Sequence, residues 1–110
     1  MQNALYILLA DDDEDDCAFF KEALDELLLS VSLVTVNDGV QLMDFLSDNP
    51  LKRLPDILFL DLNMPRKSGF ECLAEIKEID KLKHKAKELR ILKSKEINSK
   101  IQEIKKTEIK

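Results

Sequence analysis

The chain has 110 residues, 45% hydrophobic and 35% charged, with two Gly, three Pro, no Trp and a formal charge of −5. That length suits one domain with a modest core, and the balance is too apolar for a disordered chain and too charged for a membrane protein. No apolar run approaches the roughly 20 residues of a bilayer span, no basic leader opens the chain, and the two cysteines, Cys17 and Cys72, match neither a CxxC pair nor zinc-ligand spacing, so the expected compartment is the reducing cytoplasm.

Leu5-Tyr6-Ile7-Leu8-Leu9 is a continuous apolar run, the pattern of a strand buried on both faces, and it ends in the acidic cluster Asp11-Asp12-Asp13-Glu14-Asp15-Asp16. Phe20, Ala23, Leu24, Leu27 and Leu28 then form one stripe of an amphipathic helix, with acidic residues at its start to suit the helix dipole. Val31 to Val36 is rich in β-branched residues and predicts a second strand. Asp38 is placed to cap a helix through Leu42, Phe45 and Leu46, which Asp48-Asn49-Pro50 stops. Ile57-Leu58-Phe59-Leu60 predicts a third strand, again apolar without alternation and again ending in a carboxylate, Asp61. A loop from Leu62 to Gly69 leads into a helix through Leu73 and Ile76. Three such units predict an α/β fold with a parallel sheet covered on both faces.

Charge divides the chain. Residues 1–70 carry 14 Asp and Glu against 5 Lys and Arg, whereas residues 71–110 carry 8 against 12. The basic part is rich in Lys and Ile and has no aromatic residue, unlike a nucleic-acid surface, so neither nucleic acid nor membrane is an expected partner. In parallel sheets ligands bind at the carboxyl ends of the strands, where the strand order reverses. If the first and third strands are neighbours, Asp11, Asp12 and Asp61 converge there. Carboxylates so close call for a cation, and Mg²⁺ suits a few carboxylates supplemented by water and phosphate. One of them is then able to act as a nucleophile toward a phosphoryl group. Other readings fit less well. An EF-hand loop would use Asp11, Asp13, Asp15 and Glu22, but Asp16 stands where that loop needs Gly, and a strand rather than a helix precedes it. A D-x-D phosphatase needs a second carboxylate where Asn63 stands. A solubilising turn with a helix cap explains the acidic run but not Asp61.

These residues resemble the receiver domain of two-component response regulators. The likeness rests on Asp11-Asp12 after the first strand and on Asp-Ile-Leu-Phe-Leu-Asp-Leu-Asn-Met-Pro across 56–65 with Gly69 beyond, and it is most similar to the single-domain type. The resemblance implies a flavodoxin-like sheet, Asp61 as phosphoacceptor, and Mg²⁺ held by Asp11, Asp12, Asp61 and the Asn63 backbone carbonyl. The donor would be a histidine kinase or a histidine phosphotransfer protein. Such a domain assists its own phosphorylation and is a signalling module rather than an enzyme.

The family pattern continues with two further strand–helix units, ending in a Ser or Thr and then a Lys that meet the phosphoryl group. Only 26 residues follow His84, too few for both. The expected organisation is therefore an incomplete receiver over 1–84 and an atypical Lys/Ile-rich helical tail over 85–110. Ala86, Leu89, Leu92, Ile97, Ile101 and Ile104 recur at mostly helical steps and predict a helix continuous with the third. Ser94 and Ser99 end no predicted strand, and neither Lys93, Lys95 nor another tail lysine is expected to take the missing cation's place. Three strands with an open apolar edge favour self-association, as a dimer through the tail or by a domain swap. The alternative function is a degenerate or truncated receiver that acts as a self-associating interaction module with weak or no phosphorylation. His84 is expected to face solvent, and Arg66 and Lys67 to be loop charges near the site.

Overall fold

A computed structural model describes residues 5–27, 30–47, 54–79, 90–93 and 97–108. The apolar runs form strands β1 (Leu5–Ala10), β2 (Val31–Val36) and β3 (Ile57–Leu60), and between them lie helices α1 (Glu14–Asp25) and α2 (Gly39–Ser47). Helix α3 (Gly69–Glu78), strand β4 (Arg90–Leu92) and helix α4 (Ile97–Glu108) complete the described chain. All strand pairs are parallel and the order is β2-β1-β3-β4.

Alternate residues of the two central strands serve opposite faces, which is why their sequences are apolar throughout. Ile7, Leu9, Ile57 and Phe59 pack with Phe20 and Leu24 of α1 and Ile104 of α4. Leu8, Ala10, Leu58 and Leu60 pack with Leu42, Met43 and Leu46 of α2 and with Cys72 and Ile76 of α3. The Phe20 and Phe59 rings meet edge to face at 5.5 Å, and burying each such side chain contributes about 1.5–3 kcal/mol. The chain steps one way from β1 to β2 and the other way from β2 across to β3 and β4. Right-handed crossovers therefore set α1 on one face and α2 and α3 on the other. The reversal falls between β1 and β3.

The caps follow the sequence. Asp38 accepts the Gln41 N–H at 2.8 Å and so caps α2. Ser68 and Glu71 form a reciprocal capping box at the start of α3, a signal the sequence reading passed over.

The last third departs from expectation. Helix α3 ends at Glu78, with Ile79 in extended conformation, so the helix does not run on into the tail. Arg90–Leu92 is not helical but pairs with Ile57–Phe59, adding a fourth parallel strand where only three were expected. The physical reason is the apolar edge of β3: at Leu92 pairing with it outweighs a weak helical period, while Leu89 lies outside the described residues. The period is real from Ile97, whose stripe through Ile101 and Ile104 seats α4 on α1 and the sheet. An Arg90–Glu103 ion pair at 3.0 Å ties α4 to β4. Ala86, His84, Ser94 and Lys95 lie outside the described residues.

Candidate functional site

β1 and β3 end at Ala10 and Leu60, which are register partners, so the next residue of each, Asp11 and Asp61, leaves the sheet side by side. The ladder extends one bond past each strand. The Asp11 N–H donates to the Val36 carbonyl at 3.0 Å and the Asp61 N–H to the Ala10 carbonyl at 2.9 Å. Polar side chains at these positions stand at the mouth of the reversal in strand order, where both helix layers part. Asp11 and Asp61 are buried, at 4% and 8% exposure, while Asp12 is exposed. One carboxylate oxygen from each of Asp11, Asp12 and Asp61 lies within 4.8 Å of the others. The sequence thus named three residues that the fold does bring together.

The rest of the acidic run has local work. Asp13 caps α1 by accepting the Asp15 and Asp16 N–H groups at 2.9 and 3.1 Å, and Glu14, Asp15 and Asp16 occupy its first turn. The Asp13 N–H itself donates to Asp11 Oδ1 at 2.9 Å. On the other strand the Asn63 N–H donates to Asp61 Oδ1 at 2.9 Å, so Asn63 sits at the site by its backbone while its side chain is exposed.

Burial raises the Asp11 carboxyl above the ordinary aspartate range; the Asp13 N–H and Lys100 pull it down, and the charges of Asp61 and Asp16 push it up. Desolvation also raises Asp12, helped by its hydrogen bond to Asp61 and by that carboxylate's charge. Burial, then Asp11, push the Cys17 thiol up to about 11, and its Sγ lies 3.7 Å from the Asp11 carbonyl as a donor. Cys17 is inert by that measure. Cys17 and Cys72 are both free thiols, in line with their lack of any pairing motif.

One residue of the site went unforeseen. Lys100 of α4 is 2% exposed, and its Nζ stands 3.8 Å from Asp11 Oδ2 and 5.4 Å from the centre of the Phe20 ring. This lysine was not singled out from the sequence; the expectation there concerned the phosphoryl group, whereas the contact seen is with Asp11. The signal was present: Ile97, Lys100, Ile101 and Ile104 are spaced i, i+3, i+4, i+7, so Lys100 occupies a core-facing position of the helix. Lys93 is exposed just after β4, and Ser99 is exposed on α4. Arg66 and Lys67 are loop residues, as expected, but both are engaged. Arg66, in left-handed backbone conformation at φ 67°, pairs with Asp38 at 3.2 Å, and Lys67 pairs with Glu75.

The donor set fits a hard divalent cation. Octahedral ligands about 2.1 Å from an Mg²⁺ ion lie at most about 4.2 Å apart. Neighbouring ligands of such an ion stand about 3.0 Å apart, so three oxygens within 4.8 Å of one another close on it by side-chain movements of at most roughly 2 Å. All-oxygen carboxylate donors suit Mg²⁺, Mn²⁺ or Ca²⁺ rather than a thiolate-seeking metal.

Comparison with known proteins agrees with this geometry. A family model described as the response regulator receiver domain matches residues 7–105. The chain belongs to that family. This receiver is 36% identical over 80 residues to response regulator Rcp1 of Synechocystis sp., an alignment that spans 70% of the chain and 54% of Rcp1. The solved Mn²⁺-bound form of Rcp1 superposes with a TM-score of 0.63 over 71% of this chain and 58% of that one. The phosphorylated cyanobacterial phytochrome response regulator RcpA superposes with a TM-score of 0.70 at 30% identity, over 96% of this receiver and 92% of RcpA. The receiver fold, with its parallel sheet and flanking helices, is therefore shared by both. Among the described residues, no helix is long and apolar enough to cross a membrane.

Proposed function

We propose that this receiver accepts a phosphoryl group on Asp61 from a histidine kinase or a histidine phosphotransfer protein, with Mg²⁺ held by Asp11, Asp12, Asp61 and the Asn63 backbone carbonyl. The observation that carries the reading is the meeting of three carboxylate oxygens within 4.8 Å at the ends of adjacent strands. That Rcp1 is known in a Mn²⁺-bound form and RcpA in a phosphorylated one supports a metal and a phosphoryl group in this receiver. Free Cys17 and Cys72 suit a reducing cytoplasm.

The chemistry follows from the residues. A carboxylate oxygen of Asp61 attacks phosphorus; an O–P bond forms, the P–N bond to the donor imidazole breaks, and the electron pair stays on nitrogen, which takes up a proton. The Asn63 N–H fixes the Asp61 carboxylate through Oδ1, and the Asp13 N–H does the same for Asp11. When bound, the cation neutralises the carboxylates against the incoming phosphate and steadies its equatorial oxygens. Such a domain assists its own phosphorylation without being an enzyme in the usual sense.

The test is the intact mass of the full chain after incubation with a small-molecule phosphodonor, with and without Mg²⁺, beside Asp61→Asn. One phosphoryl adduct that needs both Mg²⁺ and Asp61 is the expected result. No adduct on folded, metal-binding protein overturns the reading and favours the alternative, a self-associating module with weak or no phosphorylation. One observation speaks for that alternative: β4 is a three-residue edge strand with no further strand beside it among the described residues.

A further inference from the structure

Helix α4 is held in place by contacts of different kinds. Ile104 is fully buried in the core, and Glu103 pairs with Arg90 of β4 at 3.0 Å. Lys100 adds a contact of another type, because it carries a charge into the carboxylate site. Its side chain is 2% exposed, its Nζ lies 3.8 Å from Asp11 Oδ2, and the Phe20 ring walls it at 5.4 Å. An ammonium group is taken out of water at such a place only where nearby negative charge offsets the loss of hydration. The α4 stripe would otherwise offer an apolar residue there.

We propose that Lys100 is a built-in cation of the carboxylate site which competes with the divalent metal for Asp11, so that metal loading loosens α4 and phosphorylation draws it back. The inference rests on the reading of the site as a metal-binding phosphoacceptor. Its direction comes from counting charge. Without metal, Lys100 stands against Asp11, whose carboxylate shares one cluster with those of Asp12 and Asp61, a formal −3 in all. A divalent ion reduces that to −1. Conversion of the Asp61 carboxylate to a phosphoryl ester of charge about −2 then brings the total to about −2. The hold on α4 is strongest in the metal-free protein, weakest in the metal-loaded one and intermediate after phosphorylation. In this way the state of the site is communicated to a helix on the α1 face, by a residue that comes from the helix itself and not from the end of a strand.

The experiment uses the full chain and Mn²⁺, followed by electron paramagnetic resonance at low salt, in the wild type, Lys100→Met, Lys100→Arg and Lys105→Met. Lys100→Met is expected to bind Mn²⁺ roughly tenfold tighter, because a buried like charge a few ångströms from the ion has been removed. Lys100→Arg keeps the charge and stays near wild type. Lys105→Met removes an exposed charge from the same helix and changes affinity by less than about twofold. In parallel, hydrogen exchange of residues 97–108 in the wild type is read in chelator, in Mn²⁺, and in Mn²⁺ with a small phosphodonor. Exchange there is expected to be slowest in chelator, fastest in Mn²⁺ and intermediate with phosphodonor, with residues 39–47 of α2 unchanged. This arm decides the matter alone if Lys100→Met does not fold.

Wild type that binds Mn²⁺ as tightly as Lys100→Met, or that gains protection in α4 on loading, overturns the competition while leaving the metal site standing. Wild type that takes up no Mn²⁺ overturns the site reading, and the competition falls with it.

Discussion

Replacing Asp61 by Asn is expected to stabilise the metal-free protein. The two buried carboxylates, Asp11 and Asp61, present oxygens within 4.8 Å of each other, and at that separation two unit charges repel by about 3.5 kcal/mol at an effective dielectric constant of 20. Asp12 is exposed, and the mouth of the site admits water, so roughly 1–2 kcal/mol survives as net destabilisation. Asp61→Asn removes that repulsion and keeps an acceptor oxygen for the Asn63 N–H, now bonded to Oδ1 at 2.9 Å. In a domain of this size 1 kcal/mol moves Tm by about 4 °C, so the variant should melt roughly 4–8 °C higher than wild type in chelator at neutral pH and low salt. Added salt narrows the gap by screening. Mg²⁺ at ten times its Kd should raise the wild type by about 1.4 kcal/mol and leave the variant nearly unmoved. Urea unfolding and thermal melts followed by circular dichroism read both effects. A variant no more stable than wild type in chelator, with equal dependence on urea, would refute the argument that these carboxylates repel across the site.

The pH dependence follows from the same geometry. Asp11 and Asp12 are both raised in the fold, so between the ordinary aspartate value and the raised ones the metal-free native state binds more protons than the unfolded chain, and stability falls as pH climbs through that window. In urea titrations in chelator from pH 4 to 7, the stability of wild type relative to Asp12→Asn should therefore decline as pH rises; a constant difference would contradict the assignment. Gly69→Ala is expected to cost about 1–3 kcal/mol and to reduce phosphodonor labelling, because its Cβ would stand 2.5 Å from the Asp61 carbonyl and 2.7 Å from Leu62 Cα, backbone atoms that cannot step aside without moving Asp61. Unchanged urea midpoint and labelling would show that the loop yields freely.

Much of this molecule is written in local pattern. The runs before Asp11 and Asp61 are apolar at every position because both faces of β1 and β3 are covered, and that continuity marks a parallel sheet without any knowledge of pairing. Placing the carboxylates then needed only the rule that ligands gather where strand order reverses. The sequence did not show which acid of the run caps α1. Asp11 and Asp12 meet Asp61, and the very next residue, Asp13, is the cap. Nor could it show that the β3–α3 loop docks on α2. That contact depends on Gly39, where a Cβ would collide with the Lys67 carbonyl, and on the Arg66–Asp38 pair. Both join residues 28 positions apart, and periodicity carries no information at that range.

The basic end of the chain misled for a related reason. Leu92 and Ile97 to Ile104 look like one interrupted helix when read by spacing, yet Leu92 belongs to a strand and Ile97 begins a helix on the opposite layer. A three-residue strand has no period of its own; only the unpaired edge of β3 selects it, and an edge is a property of the assembled sheet. The described residues of this region still serve a sheet that three units leave open. One short strand covers the β3 edge, and one helix closes the α1 face with Ile104. Lys100 is where this part of the chain meets the carboxylates. Because α4 lies against α1 beside the ends of β1 and β3, a lysine on its buried stripe reaches Asp11 from a helix. On the proposal made above, a buried cation delivered by a helix links charge at the carboxylates to the docking of α4.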